Sequence, residues 1–340
     1  MNDYNNIIST ENLFEAWIEF RKGKRKRPDV QRFERHLEDN LFDLHSKLRN
    51  KSYKHGSYQS FYVQDPKQRH IHKASVKDRV VHHLLYNYLY KLFDSTFIYD
   101  SYSCRLDKGT HNGIDRLEVF TRKVSKNYTR PCWGLKLDIR KFFASVDHQI
   151  LLKLLKNKVK DKNIIWLLSE VIESFHTEQG RGMPLGNLTS QVFANIYLNE
   201  LDQFVKHNLK VRYYIRYADD FIFLSINRIK LVKLINPLEQ FLKEKLKLDL
   251  HPNKIVVRKL DWGIDFLGYI VLPHYRLPRA KTRRRIFIKL KEKISKDTFE
   301  QSFQSYLGYL SHANSYSLTL KLRNQIKLHQ LNSKNLSSNI

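Results

Sequence analysis

The 340-residue sequence lacks several features that would place it in a specialised class of protein. It contains only two cysteines, Cys104 and Cys132, which are too few for a disulfide framework and lack the paired spacing of a zinc site. The N-terminus has no basic flank followed by an apolar run, and no apolar stretch approaches the roughly 18 residues that cross a bilayer. We therefore expect a globular protein of the reducing cytoplasm, neither secreted nor inserted in a membrane.

Acidic residues are scarce compared with basic ones. The chain has 34 Asp and Glu against 61 Lys and Arg, which gives a net charge of +27. Such an excess creates a strongly positive surface field in any fold. Because it is spread along the whole chain, we expect nucleic acid as the partner rather than an anionic membrane. Apolar residues make up 41% of the sequence, enough for a core that holds two or three packed subdomains.

Hydrophobic periodicity predicts a mixture of helices and strands. Helical spacing runs through residues 11–50 around a basic break at Lys22 to Arg27, and strand-like alternation follows at 58–63. Further along, the pattern predicts helices at 79–93, from about 148, at 190–207 and near 229–246, strands at 134–139 and within 211–225, and a basic helical tail over 276–296. That tail has ten Lys or Arg and one acid, so we expect it to face a polyanion.

Three aspartates carry the strongest chemical signal. Asp219 and Asp220 are adjacent between two apolar, β-prone runs, which places them at the tip of a predicted hairpin. By themselves they could form an ordinary acidic turn. Asp138, however, ends another apolar strand, and a pair of metal ions about 3.5 to 4 Å apart needs acids shared between different elements. This constellation predicts a magnesium site for in-line phosphoryl transfer.

The segment Tyr217-Ala218-Asp219-Asp220 resembles the YxDD box of reverse transcriptases. Further segments resemble other motifs of that family in the same order, and the match extends from about residue 12 to 325; these segments are 67–69 with 78–81, 101–111, 137–143, 182–191 and 265–269. The resemblance implies an α+β right-hand polymerase. It places an N-terminal helical extension at 1–50, fingers at 51–130, a palm with an antiparallel sheet at 131–270 that includes a fingers insertion around 150–185, and a basic helical thumb at 271–340.

The resemblance also implies roles for individual residues. Asp138, Asp219 and Asp220 would be catalytic and would bind two Mg²⁺ ions together with Ile139. The nucleotide-binding residues would be Lys67, Arg69, Phe143, Leu185, Gly186, Gln191 and Lys254. The primer and template would contact Tyr217, Phe266, Leu267, Gly268, Arg283 and Arg284. In this scheme Lys67 and Arg69 grip the triphosphate, Phe143 clashes with a 2′ hydroxyl, and Lys254 protonates the leaving pyrophosphate.

One departure from the family pattern indicates a subtype. Most members carry Gln before the loop glycine and Ser-Pro after it, whereas this chain has Leu185-Gly186 and Ser190-Gln191. These residues resemble the enzymes of diversity-generating retroelements, which implies low fidelity, mainly opposite template adenines. An apolar side chain in place of Gln removes a polar contact with the nucleotide, so selectivity should fall. The implied partners are template RNA, the RNA/DNA duplex, dNTPs and a small, basic, oligomeric accessory protein.

Other interpretations remain open at this level. The chain could be an antiphage defence reverse transcriptase, or a catalytically silent module that binds RNA in a positive groove. The intact set of three aspartates argues against the silent module. An intron maturase is disfavoured because no maturase-like or nuclease-like segment follows Tyr269.

Overall fold

The structure, a computed structural model, describes residues 3–64, 68–293, 298–324 and 326, and it combines helices with short antiparallel sheets. The helices are α1 (Asp3–Ile7), α2 (Thr10–Arg21), α3 (Pro28–Glu34), α4 (Leu37–Arg49), α5 (Val76–Phe93), α6 (Thr110–Val124), α7 (Phe142–Ser145), α8 (His148–Lys158), α9 (Lys162–Glu173), α10 (Leu188–Gln203), α11 (Arg228–Val232), α12 (Ile235–Leu246), α13 (Ala280–Lys293) and α14 (Phe299–Ser311). The strands are β1 (Gln59–Gln64), β2 (Gln68–Lys73), β3 (Trp133–Asp138), β4 (Tyr214–Tyr217), β5 (Asp220–Ser225), β6 (Val256–Lys259), β7 (Ile264–Phe266), β8 (Tyr269–Leu272) and β9 (Tyr275–Pro278). None of the described helices is long and apolar enough to cross a membrane.

A four-stranded antiparallel sheet lies at the centre of the fold. Its strand order is β4-β5-β3-β6, and β3 pairs with β5 over its whole length. Both neighbours of β3 come from sequence more than 80 positions away, so long-range contacts build this sheet. The predicted strands at 134–139 and within 211–225 are confirmed, as is the antiparallel sheet.

The two faces of this sheet pack against different layers because side chains alternate along a strand. Leu135 and Leu137 of β3, with Tyr214, Phe221 and Phe223, join the large core formed with the N-terminal helices, α5, α8 to α10 and α12. The opposite face carries Ile215, Ile222 and Leu224, which pack on α6 and on the second sheet, β7-β8-β9. Gly134 lets the two sheets approach closely, since a Cβ there would lie 2.9 Å from Ile264 Cδ1.

The N-terminal half consists of helices and one exposed hairpin. The predicted helical region over 11–50 is confirmed by α2, α3 and α4, and α2 packs against α5. The predicted strand at 58–63 is β1, but its side chains are exposed on both faces, so the alternation does not reflect a buried face. Its partner β2 was not predicted, because the segment around Arg69 is polar.

The C-terminal helices form a small third core. Ile286 and Leu290 of α13 pack with Phe299 and Leu310 of α14 and with residues 322 and 326. Tyr309 connects this core to the second sheet, because its ring stacks on Tyr269 at 4.8 Å and its hydroxyl donates a hydrogen bond to the carbonyl of Gly268 at 2.6 Å. The predicted limits of extension, fingers, palm and thumb stay predictions.

Three expectations about secondary structure need correction. The helix predicted near 229–246 is divided into α11 and α12 because Pro237 lacks an N–H and fits only in the first turn of a new helix. The basic helical tail begins at Ala280, since Arg276 to Pro278 belong to β9. The helix at 190–207 is α10 followed by a short π-helix, and α10 is buried on most sides.

Candidate active site

Register in the central sheet brings the three aspartates together. Asp138, the last residue of β3, lies directly opposite Asp220, the first residue of β5. Asp219 precedes Asp220 in the tight turn between β4 and β5, where Ala218 adopts a φ of 52°. The N–H of Ile139 donates a hydrogen bond of 3.3 Å to the carbonyl of Asp219, which joins the turn to the end of β3. The acidic hairpin tip is therefore present as the sequence predicts.

Burial and neighbouring negative charge raise the pKa values of Asp219 and Asp220. Burial raises the pKa of Asp219 to about 6, and the charge of Asp138 is the second cause. Burial also raises the pKa of Asp220, while the Lys136 ammonium acts in the opposite direction. Like charges on directly opposed residues of a sheet destabilise it, so this cluster needs cations.

Two lysines supply positive charge at this point. The Lys254 ammonium lies 2.6 Å from Asp138 Oδ1, and the Lys136 ammonium lies 3.5 Å from Asp220 Oδ1. Lys136 points from β3 towards the second sheet, with its ammonium 5.9 Å from the centre of the Phe266 ring. Lys136 and Lys254 also line a cleft of ≈ 320 Å³ that includes Asp138, Asp220, Arg258 and Arg279.

The residues present fit magnesium by their chemistry. Within the described residues, no group of three or more His, Cys, Asp or Glu side chains is arranged as a ready-made ion site, and Asp138 and Asp220 each lie beside a lysine. Carboxylate oxygens are nevertheless the donors that Mg²⁺ prefers, and a divalent ion would oppose the burial and the charge of Asp138 that raise the pKa values of Asp219 and Asp220. Asp138, Asp219 and Asp220 would hold the ions, with the carbonyl of Ile139 as a further donor.

A buried ion pair behind the acidic turn fixes its backbone. Arg216 in β4 and Asp202 in α10 are both fully buried, and the guanidinium binds both oxygens of Asp202 at 2.7 to 3.0 Å. Its remaining group, Nη1, donates hydrogen bonds of 3.2 Å to Asn195 Oδ1 and to the carbonyl of Ala218. Asp202 also accepts a hydrogen bond of 2.7 Å from the hydroxyl of Tyr214. The peptide that immediately precedes Asp219 is thus held by a fully hydrogen-bonded arginine.

The predicted nucleotide loop packs against the exposed hairpin β1-β2. The carbonyl of Leu185 accepts a hydrogen bond of 2.9 Å from the N–H of His72. Gly186 has a φ of 110°, and a Cβ there would lie 2.8 Å from Ile71 Cγ2, so both backbone and space require glycine. Gln191 and Arg69 are exposed, which leaves both side chains accessible to a ligand. Lys67 lies outside the described residues.

The two predicted aromatic contacts near the acids, Phe143 and Tyr217, are both half-buried. Phe142 is buried, whereas Phe143 beside it is half-buried in α7, five positions after Asp138. Tyr217 is also half-buried, and its hydroxyl accepts a hydrogen bond of 3.2 Å from Thr110 Oγ1. Both rings keep a surface that a primer or nucleotide could reach.

Three of the predicted primer contacts lie at the turn between β7 and β8. The Phe266 ring is fully buried in the second core, so only its backbone is available to a primer. Leu267 and Gly268 make the turn, with φ values of 47° and 96°. Arg283 and Arg284 are exposed on α13, which begins one residue after Arg279, the partner of Asp265 in an ion pair.

Four residues of this region were missed by sequence reasoning: Lys136, Asn195, Asp202 and Arg216. Lys136 is a lysine inside an apolar strand two positions before Asp138, which is a signal for a charge on the same face. Arg216 in an apolar strand gives a similar signal. Its partners on α10 are 14 and 21 positions away, so the sequence does not identify them.

Comparisons with known proteins agree with this geometry. The family described as "Reverse transcriptase (RNA-dependent DNA polymerase)" matches residues 54–271, which is more than half of the chain and includes all three aspartates. The chain belongs to the reverse transcriptase family. Protein YkfC of Escherichia coli strain K12 is 25% identical over 255 residues, covering 64% of this chain and 65% of the relative. Group II intron-encoded protein LtrA of Lactococcus lactis is 22% identical over 307 residues, covering 70% and 48% respectively.

A third relative of this reverse transcriptase is the "Putative COX1/OXI3 intron 2 protein" of Saccharomyces cerevisiae, 22% identical over 267 residues. The chain spans between 30% and 65% of the length of these three curated relatives. Among solved structures, telomerase from Candida albicans with a TWJ fragment of telomeric RNA has a TM-score of 0.50 at 14% identity, covering 72% of this chain and 51% of that chain. This likeness confirms the α+β right-hand polymerase fold.

We predict that Arg216→Lys raises the Mg²⁺ concentration needed for half-maximal activity by about tenfold, which corresponds to about 1.4 kcal/mol. Lysine keeps the charge opposite Asp202 but cannot also bind Asn195 and the carbonyl of Ala218. The measurement is a Mg²⁺ titration of primer extension. Arg212→Lys, at an exposed position just before the same strand, is the matched control. An unchanged Mg²⁺ requirement in a folded Arg216→Lys protein would show that the arginine does not position the turn.

We predict that Lys136→Met makes the protein more dependent on Mg²⁺ for stability. Without this ammonium the charge of Asp220 is uncompensated, so binding of a divalent ion should stabilise the variant more than the wild type. The measurement is the rise in Tm on addition of Mg²⁺, a readout that does not require activity. Lys259→Met, which removes a lysine paired with exposed Asp261, serves as control. Equal rises in Tm for wild type and Lys136→Met would contradict the prediction.

Proposed function

We propose that this protein is an RNA-directed DNA polymerase that makes cDNA from a template RNA by two-metal nucleotidyl transfer. The observation that carries the proposal is the position of Asp138 directly opposite Asp220 and beside Asp219, within the segment that matches the reverse transcriptase family. These acids lie at one end of a central sheet, beside a cleft that also contains lysines and arginines. A site of this kind fits a substrate with several phosphates.

The three aspartates and Lys254 would have different roles in the reaction. Asp138, Asp219 and Asp220 would bind two Mg²⁺ ions with the carbonyl of Ile139. The chemistry that Mg²⁺ supplies to such a site is activation of the attacking hydroxyl and stabilisation of charge on the triphosphate. Lys254 is close enough to Asp138 to reach a substrate phosphate there, and it would donate a proton to the leaving pyrophosphate.

Recognition of the nucleotide would involve the hairpin β1-β2 and residues of the helices α7 and α10. Arg69 would hold the triphosphate from the hairpin β1-β2, which contacts the loop of Leu185 and Gly186. Lys67 belongs to the same proposal. Phe143 would exclude a 2′ hydroxyl and so favour dNTPs. Gln191 at the start of α10 would complete the pocket. The primer strand would contact Tyr217 and the backbone of 266–268, and the exposed Arg283 and Arg284 would bind the duplex.

We further propose error-prone synthesis of the diversity-generating type. The support is Leu185, which puts an apolar side chain where most family members carry glutamine. A side chain without donors or acceptors discriminates poorly between bases, so low fidelity is expected. That the errors fall mainly opposite template adenines is what the resemblance to diversity-generating enzymes implies. A small, basic, oligomeric accessory protein belongs to the same proposal, as does a cytoplasmic location. Antiphage defence is an alternative role for the same activity.

An intron-associated reverse transcriptase is a second candidate. The observation in its favour is that relatives are named as intron-encoded or intron proteins. These relatives extend well beyond the matched region, so their printed roles do not transfer as a whole. Extension of a primer on a group II intron RNA in preference to other templates of equal length would support this candidate.

We predict that Asp219→Asn lowers primer extension on RNA by on the order of a thousandfold, about 4 kcal/mol of activation free energy. The amide keeps the shape of the side chain but cannot neutralise a divalent ion. The measurement is extension of a DNA primer on an RNA template with Mg²⁺, alongside RNA affinity, which should remain unchanged. Asp261→Asn, at an exposed acid, is the control. A wild-type protein that binds RNA but never extends a primer would favour the RNA-binding module.

We predict that Leu185→Gln lowers misincorporation opposite template adenine by about tenfold, because the amide restores a polar contact with the nucleotide. The backbone bond from His72 to the carbonyl of residue 185 does not depend on the side chain, so the loop should keep its shape. The measurement is primer extension with each dNTP alone on templates that present each base. Val119→Gln, at an exposed position of α6, is the matched control. Accurate synthesis by the wild type would agree with the proposed polymerase activity but would contradict the mutagenic subtype.

A further inference from the structure

A chain of hydrogen bonds through two histidines holds the first turn of α10, directly after the loop of Leu185 and Gly186. Its central member is His82, a buried side chain of α5. His82 Nδ1 lies 2.7 Å from Oγ1 of Thr189, and His82 Nε2 lies 3.2 Å from Nε2 of His55, which precedes β1. The two ring nitrogens of His82 thus connect α5 both to α10 and to the approach to the hairpin β1-β2.

The partners of the two rings assign their protons when both rings are neutral. His55 Nδ1 lies 2.7 Å from the carbonyl of Gly56, which can only accept, so His55 Nδ1 carries the hydrogen and His55 Nε2 is an acceptor. His82 Nε2 then donates to His55, which leaves His82 Nδ1 to accept a hydrogen bond from the hydroxyl of Thr189. A neutral His82 agrees with its burial, which is the main reason why the pKa of His82 lies well below its usual value.

The far end of this hydrogen-bond chain is fixed to α5 a second time. The carboxylate of Asp78, which is fully buried in α5, accepts a hydrogen bond of 3.2 Å from the N–H of Gly56 and one of 2.8 Å from the hydroxyl of Tyr53. Because the carbonyl of Gly56 is bound by His55, both backbone polar groups of this glycine have partners. The ring of His55 therefore has a fixed position relative to α5, and it supports the ring of His82 from behind.

The first turn of α10 is held by contacts with other elements rather than by a side-chain cap of its own. Among the described residues, the side chain of Asn187 caps no N–H of α10, and its amide instead donates a hydrogen bond of 3.2 Å to the carbonyl of His72. Thr189 is buried beneath this turn, whereas Gln191, two positions along the helix, is exposed. Thr189 therefore anchors from below the turn that presents Gln191 outwards.

Little space is left around the hydrogen bond between Thr189 and His82. The cavity that these two residues line together with Tyr58 and Ser190 has a volume of only ≈ 10 Å³, which is at the lower limit for a single water molecule. Water therefore has little room to replace a lost partner. If one side of the bond is removed, the other is left buried without a partner, and the turn should shift to relieve that cost.

We propose that His82 is a positioning residue for nucleotide binding, which fixes the loop of Leu185 and Gly186 by accepting the hydrogen bond from Thr189. The inference rests on the proposed function, in which this loop and Gln191 contact the incoming nucleotide. A side chain as buried as His82 acts through Thr189 and not by contact with the nucleotide. Its loss should therefore weaken dNTP binding, while the chemistry at the aspartates and the affinity for primer–template should change little.

The experiment compares two substitutions that each keep one contact of His82. In His82→Asn the amide oxygen replaces Nδ1 and can accept from Thr189, whereas in His82→Gln the longer amide replaces Nε2 and can donate only to His55. The Kd of a dNTP is measured with a dideoxy-terminated primer on RNA, which requires no turnover, and KM and kcat of extension are measured alongside. His82→Gln and Thr189→Val should each raise this Kd and KM by about tenfold at nearly unchanged kcat, the effect expected for one lost hydrogen bond. His82→Asn should raise them by less than about threefold, because it keeps that bond.

The order of these effects separates positioning from packing. Glutamine is closer to histidine in volume than asparagine is, so a role in packing alone predicts that His82→Asn is the more harmful change. The double variant His82→Gln, Thr189→Val should lose about as much dNTP affinity as either single variant, because both changes remove the same bond. Tyr4→Phe, which removes a buried hydrogen bond of 2.7 Å to the carbonyl of Leu48, is the matched control: it should lower Tm but leave dNTP affinity unchanged.

Three outcomes would overturn the proposal and leave the polymerase activity in place. The first is wild-type dNTP affinity in a folded Thr189→Val protein, which tests the bond even if His82→Gln fails to fold. The second is a greater loss in His82→Asn than in His82→Gln. The third is nitrogen NMR of the free protein that shows the hydrogen of neutral His82 on Nδ1 instead of Nε2. A wild type that binds template RNA but neither binds a dNTP nor extends a primer would instead contradict the proposed function, and this inference with it.

Discussion

The structure of this site depends on one electrostatic constraint, that two carboxylates face each other across adjacent strands. The register that buries Leu135 and Leu137 on one side of β3 places Asp138 opposite Asp220 on the other. Such a pair is unfavourable unless cations lie beside it. Lys136 is on the same face of β3, two positions away, and Lys254 approaches from beyond the turn at His251. Lys136 and Lys254 therefore lower the electrostatic free energy of placing Asp138 and Asp220 together.

Alternation along β4 separates two tasks in the same few residues. Tyr214 and Arg216 point to the helical layer, where Asp202 neutralises a fully buried guanidinium, while Ile215 and Tyr217 point to the second core. A buried ion pair gives little net stability because desolvation offsets the attraction. Its value here is geometric, since the guanidinium has a donor left for the carbonyl of Ala218 and so fixes the peptide before Asp219. Arg216, on the buried face of the sheet, thus determines where the carboxylate of Asp219 lies.

Local patterns predicted the parts of this fold that depend on neighbouring residues. The strand that ends at Asp138, the acidic turn, the helix from His148 and the helices of the N-terminal region all follow from short-range periodicity and capping. The pairing of Lys136 with Asp220 requires knowledge of register, and that of Arg216 with Asp202 requires knowledge of how α10 lies on the sheet. The same limit explains Phe266: its place in the chain indicates a primer contact, but only packing shows that the ring is buried. Roles carried over by resemblance locate such residues but do not state which of their atoms are accessible.

Some of the few acids of this chain have structural tasks inside the protein. Several acids are used inside the protein: Asp78 is fully buried and accepts hydrogen bonds from Tyr53, Ser75 and the backbone of Gly56, and Asp147 caps α8 while it pairs with Lys247. The remaining acids do not balance 61 Lys and Arg, since the chain has only 34 Asp and Glu in total, so the outward field is positive over much of the molecule. A field of that kind attracts any nucleic acid without regard to sequence. Selectivity for a template must then come from contacts of fixed geometry, such as the loop of Leu185 and Gly186 against β2, rather than from charge.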